Sequence, residues 1–228
     1  MLQNITEINQ KAVTREIASS VTGNLEGESA CKFLAGKSDI IADLLHKNGV
    51  PPLWPREPGF ESLVRIILEQ AVSLESAKAV FDKLEKEIGL ISPSALLAAD
   101  EKVMSKAGFS WMKWKTCRIC AEKVMNGELQ LCPTNQNEDD ELAEKLLGLP
   151  GIGHWTVEIY FLLVLQRNDV WPVKDRALAV AVTQTFGLSE VMNSSDLMNV
   201  AESWKPYRSW AARIFWHDYL IHRNRLAV

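Results

Sequence analysis

The chain of 228 residues has only four cysteines, Cys31, Cys117, Cys120 and Cys132. They sit inside apolar patterns, and so few for this length excludes a disulfide-built domain; reduced, packed thiols are expected. Cys117 and Cys120 form a Cys-x-x-Cys, but no second pair and no paired histidines follow at ligand spacing, which speaks against zinc and against an iron–sulfur cluster. No apolar stretch approaches the roughly 20 residues of a membrane helix. Met1 to Ser20, with Glu7 and Glu16 among polar residues, lacks a signal-peptide core, so an intracellular protein with no membrane partner is expected. Positive charge is not in excess: Lys and Arg number 25 against 29 acids, a net charge of −4. That excludes a broad nucleic-acid-coating surface and leaves local phosphate binding. Internal repeats, low-complexity tracts and sustained strand alternation are all missing.

Helical periodicity is what the chain does contain. Phe60, Leu63, Val64, Ile67 and Ala71 share one face; Ala77, Val80, Phe81, Leu84 and Ile88 share another, behind Ser73 as N-cap. Further helical patterns run over about 95–105, 113–126, 139–147, 154–166, 176–186, 195–204 and 208–222, with Gly89, Gly108, Gly127, Gly148 and Gly187 as stops. The expected fold is all-α. Loops at Gly49 to Gly59 and Cys132 to Asn137 are the natural crossings between lobes.

Two helical patterns meet at Leu149-Pro-Gly-Ile-Gly-His-Trp-Thr156. A Pro-Gly-x-Gly turn makes a tight hairpin whose glycines take conformations other residues resist, and it leaves amides at the next helix start free to meet an anion such as a nucleic-acid phosphate. Further on, Asp175 stands directly before the apolar run Arg176 to Val182. A carboxylate there reads as an N-cap, and it can also face positive charge developing on a sugar; the two roles are compatible. Two basic runs qualify for phosphate binding. Lys106, Lys113, Lys115, Arg118 and Lys123 face one acid, Glu122, and Lys205, Arg208, Arg213, Arg223 and Arg225 face Asp218. Solvated helix faces are the other reading of both.

The hairpin, Val170-Trp-Pro-Val-Lys-Asp175 and the segment Trp204 to Trp216 together resemble the helix-hairpin-helix (HhH-GPD) DNA glycosylase superfamily, most of all its AlkA/Mag type, the DNA-3-methyladenine glycosylase II family. Phe60 to Leu84 and Ala107 to Lys113 match earlier blocks of that family in the same order, and the likeness spans about residues 30–222. It implies a two-lobed helical fold over 1–228, with residues 1–30 as an N-terminal extension, the helix-hairpin-helix at about 139–166 and no N-terminal β-domain. The implied activity is hydrolysis of the N-glycosidic bond of alkylated purines, of the 3-methyladenine and 7-methylguanine type. The base is flipped out of duplex DNA and an abasic site is left for base-excision repair. Asp175 takes the catalytic position, stabilising the oxocarbenium-like sugar and orienting or deprotonating water. No second carboxylate stands out as a general acid, which fits a base that leaves already charged. Trp155 occupies the position where strand-cutting relatives carry a lysine, implying a monofunctional enzyme without lyase activity.

The same resemblance nominates Trp155, Ile159, Tyr160 and Trp216 for the base pocket, with Trp210 a weaker candidate; core packing is the other role for each aromatic. For DNA contact it nominates Gln70, Ala71, Ser73, Lys113, Gly151, Gly153, His154, Thr156 and Arg208. Relatives carry a larger side chain at Ala71, where the plug that fills the flipped-base gap would stand, so Gln70 or another loop is left to do so. The carbonyls of Leu149, Gly151 and Gly153 are the implied ligands of a structural Na+ or K+; no organic cofactor is implied. The implied partner is double-stranded DNA carrying alkylated bases, gripped by a monomer in the cytoplasm of a prokaryote or the nucleus of a eukaryote. Two other readings stay open: a catalytically weak hairpin protein that recognises distorted DNA, and an enzyme acting on deaminated or mismatched bases.

Overall fold

The computed structural model describes residues 25–133, 135 and 138–223, and among these every regular element is helical. The helices are α1 (25–35), α2 (Asp39–Asn48), α3 (Phe60–Glu69), α4 (Leu74–Ile88), α5 (Pro93–Ala98), α6 (Glu101–Ala107), α7 (Trp111–Met125), α8 (Asp139–Leu147), α9 (His154–Ile159), α10 (Arg176–Thr185), α11 (Ser194–Ala201) and α12 (Arg208–His222). Of the expected N-terminal extension, residues 1–24 lie outside the described residues and 25–30 are already helical.

Local chemistry explains most boundaries. Ser73 caps α4 by accepting from the Ser76 amide, and Gly89 and Gly108 close α4 and α6 at φ of 71° and 78°. The pattern read as one helix over 95–105 is two, α5 and α6, because the Asp100 carboxylate accepts from the Lys102 and Val103 amides and starts a new helix. The long pattern after the hairpin also divides: α9 passes into a π-helical turn, Tyr160–Val164, closed by the Leu165 amide on the Tyr160 carbonyl.

The described residues form two compact units. One comprises 25–53 and 176–223, the other 54–133, 135 and 138–175. In the first, α12 packs on α2 and α10, and the buried Trp210 ring lies where any Cβ on Gly27 would meet it at 2.4 Å. Arg213, 2 % exposed, donates to the Leu53 and Ser209 carbonyls. In the second unit, α3 is central and touches α4, α7 and α9. Its face of Leu63, Val64, Ile66 and Ile67 is fully buried. The predicted face placed Ala71 on this helix, but α3 stops at Glu69 and Ala71 lies exposed in the turn beyond it.

Candidate active site

Within the second unit, α8 and α9 flank the hairpin turn. Gly151 sits at φ 86°, and a Cβ there would lie 2.1 Å from the Thr116 hydroxyl oxygen, so both backbone and space demand glycine. That hydroxyl is in place because it donates to the Pro150 carbonyl, 3.0 Å away, from α7. Gly153 differs from expectation: at φ −117° and ψ 176° it is ordinary extended backbone, with nothing within 4 Å of a Cβ. Glycine there leaves open, exposed space beside the start of α9 rather than relieving strain.

A clasp ties this hairpin to the turn after α3. The Gln70 amide donates to the Gly151 carbonyl (3.0 Å) and to the buried Thr156 hydroxyl (2.8 Å), while Lys113 donates to the carbonyls of Leu68 (2.7 Å) and Gln70 (2.8 Å). Burial lowers the Lys113 pKa, with Cys117 acting weakly the other way. Gln70, Lys113 and Thr156, expected to touch DNA, are thus engaged inside the protein, because unpaired polar groups at these depths would be costly. Between them Ala71 is exposed at φ 57°, a conformation non-glycine residues seldom take, and Val72 beside it is 49 % exposed. Ser73 is exposed but its hydroxyl serves as the α4 cap. His154, Gly151 and Gly153 are exposed at the hairpin.

Most bases of the two runs are engaged within the protein. Lys106 pairs with Glu87 and Lys123 with Glu128, and Arg118 donates to the Leu96, Leu97 and Ala99 carbonyls at the end of α5. In the first unit Lys205 and Arg208 share Glu202, Arg213 is buried, and Arg223 lies over the Tyr219 ring. Arg225 lies outside the described residues. Glu87 reaches Lys106 from 19 residues away, whereas Glu128 and Glu202 lie just outside the two runs, five and three residues from Lys123 and Lys205.

The carboxyl groups gather elsewhere. Asp175 ends the 170–175 loop, its amide donating to the Pro172 carbonyl, and Oδ2 accepts from the Trp155 indole at 2.8 Å. One turn of α9 beyond Trp155 stands Glu158, whose Oε2 is buried with no hydrogen-bond partner among the described residues. Burial pushes its carboxyl up to about 7; Lys174 opposes this and the Asp175 carboxylate adds to it. Glu158 is thus a carboxyl coupled to Asp175 that the sequence analysis did not single out. The signal was in the sequence, an acid inside Val157-Glu158-Ile159-Tyr160-Phe161.

Comparison with known proteins agrees with this geometry. Residues 64–206, more than half the chain, match the HhH-GPD superfamily of base excision DNA repair proteins. The chain belongs to this superfamily. Among HhH-GPD relatives it is 26 % identical to the alkylbase DNA glycosidase-like protein mag2 of Schizosaccharomyces pombe, over 85 % of this chain and 94 % of that one. It is 27 % identical to DNA-3-methyladenine glycosylase 1 of the same yeast, over 79 % and 90 %. The solved S. pombe 3-methyladenine DNA glycosylase Mag1 in complex with abasic DNA superposes with a TM-score of 0.76 at 25 % identity, covering 82 % of this chain and 95 % of the other.

Against the HhH-GPD expectations for the base pocket, the aromatics divide. Tyr160 is fully buried, its hydroxyl donating to the Leu131 carbonyl (2.8 Å) and accepting from the Gly59 amide (3.1 Å), so it braces the core rather than offering a stacking face. Ile159, 3 % exposed, and Trp210 are also core. Trp155 in the second unit and Trp216 in the first keep partial exposure. The thiols divide as well: Cys31, Cys117 and Cys120 are buried, with Cys120 pushed up to about 12 and Cys31 to about 11 by burial, whereas Cys132 is exposed, contrary to the expected packing. Among the described residues no three His, Cys, Asp or Glu gather as metal ligands, and no helix is long and apolar enough to cross a membrane.

Proposed function

We propose that this HhH-GPD protein is a monofunctional DNA glycosylase that hydrolyses the N-glycosidic bond of alkylated purines in duplex DNA. The observation that carries the reading is the Trp155 indole donating to Asp175 at 2.8 Å. Where a lyase needs an amine nucleophile, this chain has a hydrogen-bond donor that aims a carboxylate instead. With the damaged nucleotide flipped out, bond cleavage leaves positive charge on the sugar, and a fixed carboxylate stabilises it at little reorganisation cost. Water adds at C1′ and loses its proton to Asp175. A 3-methyladenine or 7-methylguanine base carries its own positive charge and departs neutral. The resemblance in sequence to DNA-3-methyladenine glycosylase 1 and in fold to Mag1 with abasic DNA supports the same substrate class.

Duplex DNA is the partner of this reading, held by a monomer at the exposed hairpin around Gly151, Gly153 and His154, and the compartment is whichever holds the genome. The exposed turn Ala71-Val72 would enter the stack, with Val72 supplying the apolar contact that Ala71 cannot. A structural Na+ or K+ remains part of the proposal. The Leu149, Gly151 and Gly153 carbonyls already accept from the Ile152 amide, Gln70 and the Val157 amide, and a carbonyl oxygen has a second lone pair to give an ion. The small Ala71 and the tethered Gln70 favour one second reading, a catalytically weak protein that recognises distorted DNA. Methylated duplex incubated with the native chain and with Asp175→Asn separates the two. Release of free 3-methyladenine, lost in the variant, with strand breaks only after alkali, supports the glycosylase; tight binding with no release supports the second reading.

A further inference from the structure

Glu158 has no part in the reaction just described. It follows Trp155 by three residues on α9, so both side chains leave the same side of the helix, and Trp155 reaches Asp175 at 2.8 Å. Its Oε2 is buried with no partner among the described residues. A buried polar atom left unmatched costs stability, and such atoms concentrate where chemistry requires them. The other charged groups of the helices packed on α9 are engaged or solvated. On α3, Glu69 pairs with Arg56 and Arg65 with Glu61; on α8, Asp139 pairs with Arg167 and Glu141 with Lys145, while Asp140 and Glu144 are exposed. Lys174 and Asp175, both from the loop before α10, are the charges that act on Glu158.

We propose that Glu158 is a second functional carboxyl, the proton donor that complements Asp175 when the departing base carries no charge of its own. The inference rests on the glycosylase reading and extends its substrate class to uncharged purine lesions, such as a deaminated purine. Burial first, and the Asp175 carboxylate in addition, push the Glu158 carboxyl up to about 7, so below that pH Glu158 holds a proton. When the C1′–N9 bond breaks, its electron pair goes to the base, and the proton of Glu158, passed directly or through one water, neutralises the leaving nitrogen. Water adds to C1′ and gives its proton to Asp175. That proton then returns to Glu158, and the pair is restored with no net gain or loss. A cationic alkylpurine needs no such proton and bypasses Glu158. Lys174, exposed beside the pair, favours the ionised form of Glu158 and so sets the pH at which the donor is lost.

The experiment is single-turnover base release from pH 5 to 9 on two duplexes, one carrying 7-methylguanine and one hypoxanthine, with the native chain, Glu158→Gln and Lys174→Met. Native release of hypoxanthine is expected to fall about tenfold per unit above roughly pH 7. Glu158→Gln is expected to lower it at pH 6 by about 10²-fold or more and to flatten the profile. The same variant is expected to change 7-methylguanine release by less than about threefold, and Lys174→Met to move the break to higher pH. Equal losses on both duplexes, a profile unmoved by either substitution, or native release of 7-methylguanine with none of hypoxanthine would each overturn the inference. Release of neither base by the native chain would instead sink the glycosylase reading on which it stands. If Glu158→Gln melts well below the native chain, the pH break of Lys174→Met decides alone.

Discussion

Two polar clusters in the same unit are built to opposite rules. In the clasp, the Gln70 amide and the Lys113 ammonium each satisfy two acceptors, and the Thr116 hydroxyl donates where Gly151 leaves room for it. In the carboxyl corner, a few residues away on α9, Asp175 accepts from the Trp155 indole, and Glu158 Oε2 is buried with no hydrogen-bond partner among the described residues. The clasp fixes the hairpin by using its hydrogen-bonding capacity internally; in the corner, Glu158 Oε2 keeps its capacity unused among the described residues. Nearly all buried polar groups in proteins are matched, so the exception marks the chemistry.

Substitutions can break that contrast. Asp175→Asn should give the largest effect, a loss of base release of about 10³-fold with duplex binding nearly unchanged, measured by single turnover and by titration. A comparable loss of binding would mean that the corner is scaffold after all. Gly151→Ala should destabilise the protein by about 3 kcal/mol, from positive φ and the Thr116 collision, whereas Gly153→Ala should cost under about 0.5 kcal/mol and weaken duplex binding instead. Thermal melting of both, beside binding titrations, decides whether the two glycines differ in role. Trp155→Phe removes the donor but keeps an aromatic ring, and should slow base release by about 10- to 100-fold without altering the fold.

A smaller effect concerns pH and stability. Glu158 titrates near 7 in the folded chain against an ordinary 4.5, so between these values the folded state binds more protons than the unfolded state. Its contribution is fully present below about pH 4.5 and is lost as pH rises through about 7. Denaturant unfolding should therefore show native stability declining across that window more steeply than in Glu158→Gln, and identical slopes would contradict the burial of Glu158. The smallest effect is on salt dependence: replacing Lys106 and Lys123 by Ala should alter the log-log slope of duplex affinity by less than about one, since both are paired within the protein. A larger change would restore the basic run as a DNA contact.

Several features were legible along the chain because they are local. The helical faces, the Ser73 cap, the glycine stops and the Pro-Gly-x-Gly hairpin all depend on neighbours within one or two turns. The division at Asp100 was equally local but was hidden by an apolar pattern that ran through it. The pairing within the basic runs was not legible because Glu87 and the α5 carbonyls are remote in sequence from Lys106 and Arg118, and Glu128 lies just past the end of its run. The internal bonds of Gln70, Lys113 and Thr156 were hidden for a related reason. Polar residue types at a motif announce hydrogen bonds, but not whether the partner is the protein or a ligand.

By itself the sequence determined the all-α class, the Pro-Gly-x-Gly hairpin, and the position of Asp175 before an apolar helix, since each follows from periodicity, turn conformation or residue order. Only the tertiary structure decided that Trp155 donates to Asp175, that Tyr160 is a brace, and that Glu158 has a buried oxygen and a carboxyl pushed up to about 7 by burial. Such properties depend on what surrounds a group in three dimensions. Burial and a nearby charge change a carboxyl's chemistry, and neither is carried by residue type or spacing.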